Sequence, residues 1–357
     1  MAIKKFRGVD FINREKECEF FLNYFKNKPE RVMWVYGPKS TGKTTLIEYI
    51  LENELNSKEY WIKYLNLRGQ MVSTYENFIY SFFDELDEDE DIQTELNRNY
   101  DIKIFKLEAK TIKKIKEHKK NLFVELINEL QKIKKKKILI IDEIQTLQYI
   151  YMNGGKLLLN EFLNFCVRLT KETHLSHVLI LTSNTIFLTQ IYNNAKMKGT
   201  SDFKLIDHLP YGEIEAWLIS KDLGFRVEDV KLIYDYLGGS VALIKKLIDF
   251  RKEYNSLKEQ LEEMAEIAKN EIIFEKNRDL TNKEFEIFLQ LAKIIVKNGS
   301  FIFDENDEEK RKDLKKIIHR FCDVEILFFD PIKNRVTANS RIYVKAFERI
   351  LGLENDV

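Results

Sequence analysis

The octapeptide Gly37-Pro38-Lys39-Ser40-Thr41-Gly42-Lys43-Thr44 constrains this chain more than any other stretch, because a strand pattern precedes it and a helix pattern follows. Val32-Met33-Trp34-Val35-Tyr36 is apolar and β-favouring, whereas Thr45-Leu46-Ile47-Glu48-Tyr49-Ile50-Leu51 has helical spacing. Glycines at both ends of such a turn let the backbone bend tightly and aim successive N–H groups inward. The helix behind adds the positive end of its dipole. The expected guest is an anion. In a phosphate-binding loop of this spacing, Lys43 reaches the terminal phosphates and the Thr44 hydroxyl is one ligand of a Mg2+ ion that keeps most of its waters. Gly37 to Thr45 is therefore the expected nucleotide-binding stretch, with Lys43 also a candidate catalytic residue.

A second motif complements the first. Ile138-Leu139-Ile140-Ile141 is a run of branched apolar residues, the signature of a strand buried on both faces of a parallel sheet, and it ends in Asp142-Glu143. Open α/β sheets bind ligands just past such carboxyl ends. Asp142 is placed to hold the metal shell through water, and Glu143 to orient or deprotonate an attacking water. Further on, His177-Val178-Leu179-Ile180-Leu181-Thr182-Ser183-Asn184 reads as another apolar strand ending in small polar residues. Ser183 or Asn184 there is either a γ-phosphate contact or an ordinary turn residue. Arg168 and Lys171, on an expected helix from Asn160 to Thr170, are candidates to supply positive charge within the chain or to a neighbour.

Composition limits the partners. The 357 residues suffice for two or three domains, and the 58 basic side chains are balanced by 58 acidic ones, so no global field recruits nucleic acid or membrane. No stretch approaches a membrane span, and Met1-Ala2-Ile3-Lys4-Lys5 is not followed by a signal-peptide apolar core, which predicts a cytoplasmic protein. Cys18, Cys166 and Cys322 are far apart and lack metal-ligand spacing. The acidic run from Asp84 to about Asp91 and the lysine-rich run from Lys110 to Lys137 read as an exposed insertion. Within the latter, Leu122, Leu126, Ile127 and Leu130 keep a helical stripe that predicts packing from Asn121 to Ile133.

The rhythm changes at Leu209-Pro210-Tyr211-Gly212-Glu213, from alternating strands and helices to helices alone, which marks a boundary. Glu213 to Ser220, Val227 to Leu237 and Val241 to Phe250 are amphipathic, with Gly238-Gly239 breaking the last two apart. After a charged helix from Glu253 to about Glu275, Thr281-Asn282-Lys283-Glu284 is a capping box. A helix around Glu308 to Phe321 carries Lys310, Arg311, Lys312, Lys315, Lys316 and Arg320 off its apolar face. A strand Val324 to Phe329 and its hairpin partner Arg335 to Ala338 follow. The expected division is a nucleotide domain at 1–209, a helical lid at 210–270 and a winged-helix-like domain at 271–357.

Phe11 to Glu17, Gly37 to Thr44, Ile138 to Gln145, Gly238-Gly239 and Ile326-Leu327-Phe328-Phe329-Asp330-Pro331 together resemble the archaeal ATPase family, a branch of the signal-transduction P-loop ATPases related to the AAA+ group. The resemblance implies an α/β fold with a doubly wound parallel sheet, a helical lid and a C-terminal winged helix. It implies ATP as substrate with Mg2+, and it places Phe11 to Arg14 near the adenine, Arg14 among the nucleotide-binding residues, and Thr44 with Asp142 at the metal. Relatives commonly carry proline two residues after the second glycine, where this chain has Val241. The reading is a Mg-dependent ATPase acting as a regulatory conformational switch. The alternative is a nucleotide-gated DNA-binding regulator or interaction module with negligible turnover. DNA through the winged helix, a protein partner and a second copy of the chain stay open as partners.

Overall fold

The computed structural model describes residues 4–67, 69, 72–85, 105–107, 109–117, 120–152, 155–192, 197–220, 223–303 and 308–353. Five parallel strands form the central sheet: β1 (Val32–Tyr36), β2 (Tyr60–Asn66), β3 (Lys136–Asp142), β4 (His177–Thr182) and β5 (Ser201–Leu205). Their order is β2-β3-β4-β1-β5, so one whole strand, β4, separates the strand that feeds the glycine loop from the strand that ends in Asp142. Four of the five were legible as apolar runs, β2 among them because Tyr60-Trp61-Ile62-Lys63-Tyr64-Leu65-Asn66-Leu67 alternates or runs apolar. The fifth, Ser-Asp-Phe-Lys-Leu at an edge, is only half-buried and carries no such signal.

The strands sort their side chains by period two, as a sheet covered on both faces demands. Trp34, Leu139, Ile141, Val178 and Ile180 join one core with Phe78, Leu126 and Phe162. Met33, Val35, Ile138, Ile140, Leu179 and Leu181 join the opposite one with Phe21, Phe25, Leu46 and Ile47. The helix behind Asn121 runs Leu122–Lys132, with the Asn121 side chain accepting from the Phe123 and Val124 N–H groups. The first long helix spans Glu15–Lys26; Asn13 has the residue type of an N-cap, but Arg14 takes that position and the Asn13 side chain accepts from the Glu15 N–H at 3.3 Å. Of the acidic run, residues 86–91 lie outside the described residues, and Phe83–Glu85 pairs in parallel with Phe105–Leu107.

Beyond residue 209 the helices Tyr211–Ser220, Val227–Leu237, Val241–Asp249 and Leu257–Asp279 pack together. The last begins at Leu257, later than its charge pattern suggested, because Ser256 caps it by accepting from the Glu259 N–H. Helix Asn282–Asn298 follows, with the Thr281–Glu284 capping box in place. Then come a short strand Phe301–Ile302, helix Glu308–Asp323, the hairpin Leu327–Asp330 with Arg335–Ala338, and helix Arg341–Ile350. The three strands form one antiparallel sheet with Arg335–Ala338 in the middle. The hairpin strand starts at Leu327 rather than Val324, since Glu325 is left-handed (φ 62°) and the Ile326 N–H is still bonded to the Phe321 carbonyl. One apolar core runs through all of these elements, from Ile214 and Trp217 to Phe288, Phe321 and Phe347.

The crossing between the two halves, residues 206–209, is gripped from several sides. The Ile206 N–H donates to the Tyr36 carbonyl (2.8 Å) and the Leu209 N–H to the Gly239 carbonyl (3.1 Å). A Cβ at Gly37 would lie 2.0 Å from the Ile206 oxygen, and one at Gly239 would lie 1.7 Å from the Leu209 oxygen. Both glycines are thus fixed by close approach of backbone to backbone, with no room for any side chain. Arg14 donates to the Asp207 carbonyl, and the His208 ring nitrogen meets the Asn339 carbonyl at 2.8 Å. A second bond across the halves is buried: the Tyr36 hydroxyl, one residue before the glycine loop, donates to Asp330 Oδ1 at 3.0 Å.

Candidate functional site

The carboxyl ends of β1, β4 and β3 converge, with Tyr36 opposite Thr182 and Asp142 opposite Leu181. The segments leaving those ends line one cleft: Lys39, Ser40, Gly42, Lys43, Thr44 and Thr45 from the loop, Asp142 and Glu143 from β3, and Thr182 and Ser183 from β4. Gly42 is left-handed (φ 83°), as the turn into helix Lys43–Tyr49 requires. Ser40 is also left-handed (φ 63°), and the Thr41 hydroxyl donates to the Pro38 carbonyl at 3.1 Å, cross-bracing the loop. The buried Arg14 braces it from outside, donating to the Thr41 carbonyl at 2.9 Å and to Glu17 at 3.0 Å. Its guanidinium is thereby engaged by two backbone carbonyls, of Thr41 and Asp207, and by the Glu17 carboxylate.

Lys43 is buried, and burial lowers its pKa to about 8. Its ammonium donates to the Gly37 and Pro38 carbonyls at 3.0 and 2.8 Å, which holds the side chain along the loop. The Thr44 hydroxyl donates to Asp142 Oδ2 at 2.9 Å, and the Tyr64 hydroxyl donates to the same oxygen at 2.8 Å. Glu143 stands in the left-handed region (φ 63°) at the head of a short helix Ile144–Tyr149, so its backbone turns sharply as it leaves the strand. Gln145 Nε2 donates to Glu143 Oε2, and Gln145 Oε1 accepts from the Thr182 hydroxyl at 3.3 Å. This chain of bonds fixes Glu143 to the neighbouring strand. Tyr64 and Thr182 had no motif signal; only the alignment of β2, β3 and β4 brings them to Asp142 and Gln145.

Ser183 lines the cleft, whereas the Asn184 side chain accepts from the Phe187 N–H at 2.9 Å and serves the start of helix Thr185–Tyr192. Arg168 and Lys171 are exposed after helix Leu158–Val167 and lie outside the lining of the cleft. Phe11, Ile12, Asn13 and Arg14 line a different cavity of about 440 Å3, closed on one side by Trp217.

The donor set suits a hard, hydrated cation. Among the described residues no three His, Cys, Asp or Glu side chains gather as a closed metal cage. The Thr44 hydroxyl and Asp142 carboxylate, 2.9 Å apart at the loop, are instead a sparse oxygen pair of the kind that could hold Mg2+ together with phosphates and waters.

The family model for an ATPase domain found predominantly in Archaea matches residues 11–247. The chain belongs to this archaeal ATPase family. It is 32% identical over 354 residues to an uncharacterized ATP-binding protein of Methanocaldococcus jannaschii, covering 96% of this chain and 98% of the relative. A second such protein of that organism is 35% identical over 337 residues, covering 92% and 88%. Among solved structures, the Walker-type ATPase of Pyrococcus abyssi superposes with a TM-score of 0.58 at 14% identity, covering 98% of this chain and 99% of that one, a likeness of fold. The matched span of the archaeal ATPase domain takes in the glycine loop, the Asp142-Glu143 pair and Gly238-Gly239. Val241 opens helix Val241–Asp249 behind Ser240. Among the described residues no helix is long and apolar enough to cross a membrane.

Proposed function

We propose that the chain is a Mg-dependent ATPase whose hydrolysis of ATP to ADP and phosphate sets the relation between the nucleotide cleft and the C-terminal core. One observation carries the reading: Lys43, the Thr44–Asp142 pair and the braced Glu143 face a single cleft at the carboxyl ends of three adjacent strands. Loop N–H groups and Lys43 would bind and orient the phosphates. Thr44 and Asp142 would hold Mg2+, which when bound supplies charge neutralisation. Glu143 would orient and deprotonate the attacking water, with Gln145 keeping its carboxylate in place. The base would extend toward Phe11–Arg14. A switch role is supported by direct bonds between the loop and the C-terminal unit: Lys39 pairs with Glu325 at 2.5 Å, and its N–H meets Asn339 Oδ1 at 3.4 Å. Steady-state phosphate release from ATP should require Mg2+ and vanish with a chelator. Absence of turnover with Mg2+ in the full chain would overturn the enzymatic part.

A second reading is favoured by one surface. We read the helix–strand–helix–hairpin–helix order after residue 281 as winged-helix-like. Helix Glu308–Asp323 and the end of helix Leu257–Asp279 line a basic groove with Arg278, Lys312, Lys315, Lys316, His319 and Arg320. Lys316 bonds Glu284, and Arg320 and Arg278 both pair with Glu275, so the exposed Lys312 and Lys315 would be the lysines offered to DNA phosphates. Full-length protein should then retard duplex DNA in a salt-dependent way that the double change Lys312→Glu and Lys315→Glu removes. No retardation at low salt, with or without ATP, would exclude it.

A further inference from the structure

The basic groove along helix Glu308–Asp323 shares a wall with a second opening, since Lys315 and His319 line both. Behind that wall lies a cavity of about 370 Å3 built from the two halves of the molecule. Helix Thr185–Tyr192 gives it Thr189 and Tyr192, and the C-terminal unit gives it Phe303, Phe329, Pro331 and Asn334. Two of its rings are steadied by other rings. Tyr192 meets Phe203 at 5.4 Å and 72°, and Phe303 meets Phe301 at 6.2 Å and 86°. The Thr189 hydroxyl donates to the Thr185 carbonyl, and the Asn334 amide donates to the Phe303 carbonyl, so both side chains keep an oxygen as acceptor. No Asp or Glu among the described residues lines the cavity.

The groove on the other side of the wall is cationic where the two openings meet. Lys312 and Lys315 are exposed and make no ion pair among the described residues, and Glu275 is taken up by Arg320 and Arg278. Asp323 also lines the groove, but eight residues along the helix from Lys315, which is about 12 Å of axis. Burial, with Lys315 beside it, lowers the pKa of His319 and favours the neutral ring, so the shared wall offers one cation and one flat imidazole. A cationic track for phosphates next to aromatic surfaces for bases is the combination with which single strands are held. A base stacked inside a duplex cannot reach rings that line a cavity, whereas an unpaired base can.

We infer that this composite site binds single-stranded nucleic acid, with the backbone along Lys312 and Lys315 and one unpaired base in the cavity against Tyr192 and Phe303. The inference rests on the DNA reading above for the use of those two lysines, and goes beyond it in making an unpaired strand the ligand. The cavity draws on both halves, so the test uses the full chain. Fluorescence anisotropy at low salt compares labelled oligo-dT, oligo-U, a duplex and an abasic strand, all of equal length. A base-bearing single strand should bind about tenfold or more tighter than the abasic strand, the scale of one stacked base. Tyr192→Ala should remove that gain and leave duplex and abasic binding unchanged; Tyr192 is 39% exposed, so the fold should survive, and Tyr192→Phe should keep the gain. Lys312→Glu with Lys315→Glu should weaken every strand. Whichever of oligo-dT and oligo-U shows the larger gain tells DNA from RNA. If neither binds more tightly than the abasic strand, or if Tyr192→Ala leaves the gain intact, the inference is overturned, while retardation of the duplex would still uphold the DNA reading. A Tyr192-dependent gain without duplex binding would uphold the inference and exclude the duplex.

Discussion

Glu143→Gln is expected to bind ATP as tightly as the parent and to hydrolyse it at least about a hundredfold more slowly, the scale on which a positioned general base acts. The change is nearly isosteric, and the left-handed turn at residue 143 is a backbone property that glutamine can share. The bond from Gln145 can be re-formed with the amide oxygen, so water would still be met by a polar group in nearly the same place. What is lost is proton acceptance. The measurement pairs nucleotide affinity by calorimetry with phosphate release under saturating Mg-ATP. A parental rate would mean that the water is activated by another group, and the role given to Glu143 would be withdrawn.

Lys43→Ala should weaken ATP binding by at least about a hundredfold while leaving the fold intact. The ammonium is bonded along the loop to the Gly37 and Pro38 carbonyls, and a hydrogen bond to a charged group contributes about 1.5–3 kcal/mol for each contact made. Folding should survive because burial already disfavours the charged form of this lysine. Removing it also frees the Gly37 and Pro38 carbonyls, which it now bonds, beside the cleft that Lys43 itself lines. Calorimetry on the folded variant decides the matter, with circular dichroism as the control. Unchanged affinity would remove the phosphate-loop assignment.

The parts of the fold that were legible in the sequence are those in which local pattern and tertiary role coincide. Val32–Tyr36 and Ile138–Ile141 are apolar because both faces of the sheet are covered, and burial requires that wherever the strand lies in the order. Ser201–Leu205 escaped notice because an edge strand with half-buried residues needs no apolar run. The N-terminal hairpin Lys4–Phe6 with Val9–Phe11 is too short to set up a period, although Arg7 and Gly8 both take positive φ at its turn. Within the cleft, Lys43, Thr44, Asp142 and Glu143 announce themselves through fixed local spacing. Tyr64 and Thr182 do not, since each reaches the site by lateral pairing with a strand distant in sequence. Asn184 is the converse case. Its residue type suits a ligand contact, yet its side chain accepts the Phe187 N–H at the start of a helix, a use equally open to any Asn in that position.

Connections between domains are ordinarily where a chain accepts inserted residues, because little else touches them. The four residues from Ile206 to Leu209 are an exception. Two glycines press against its ends at Ile206 and Leu209, and Arg14 and Asn339 meet the two residues between. Lengthening it by one residue would pull the loop-bearing strand out of step with the Gly238-Gly239 break. In this molecule the shortest path between the halves is thus the part least free to vary in length. Its geometry acts as a gauge, setting how far the C-terminal core stands from the glycine loop.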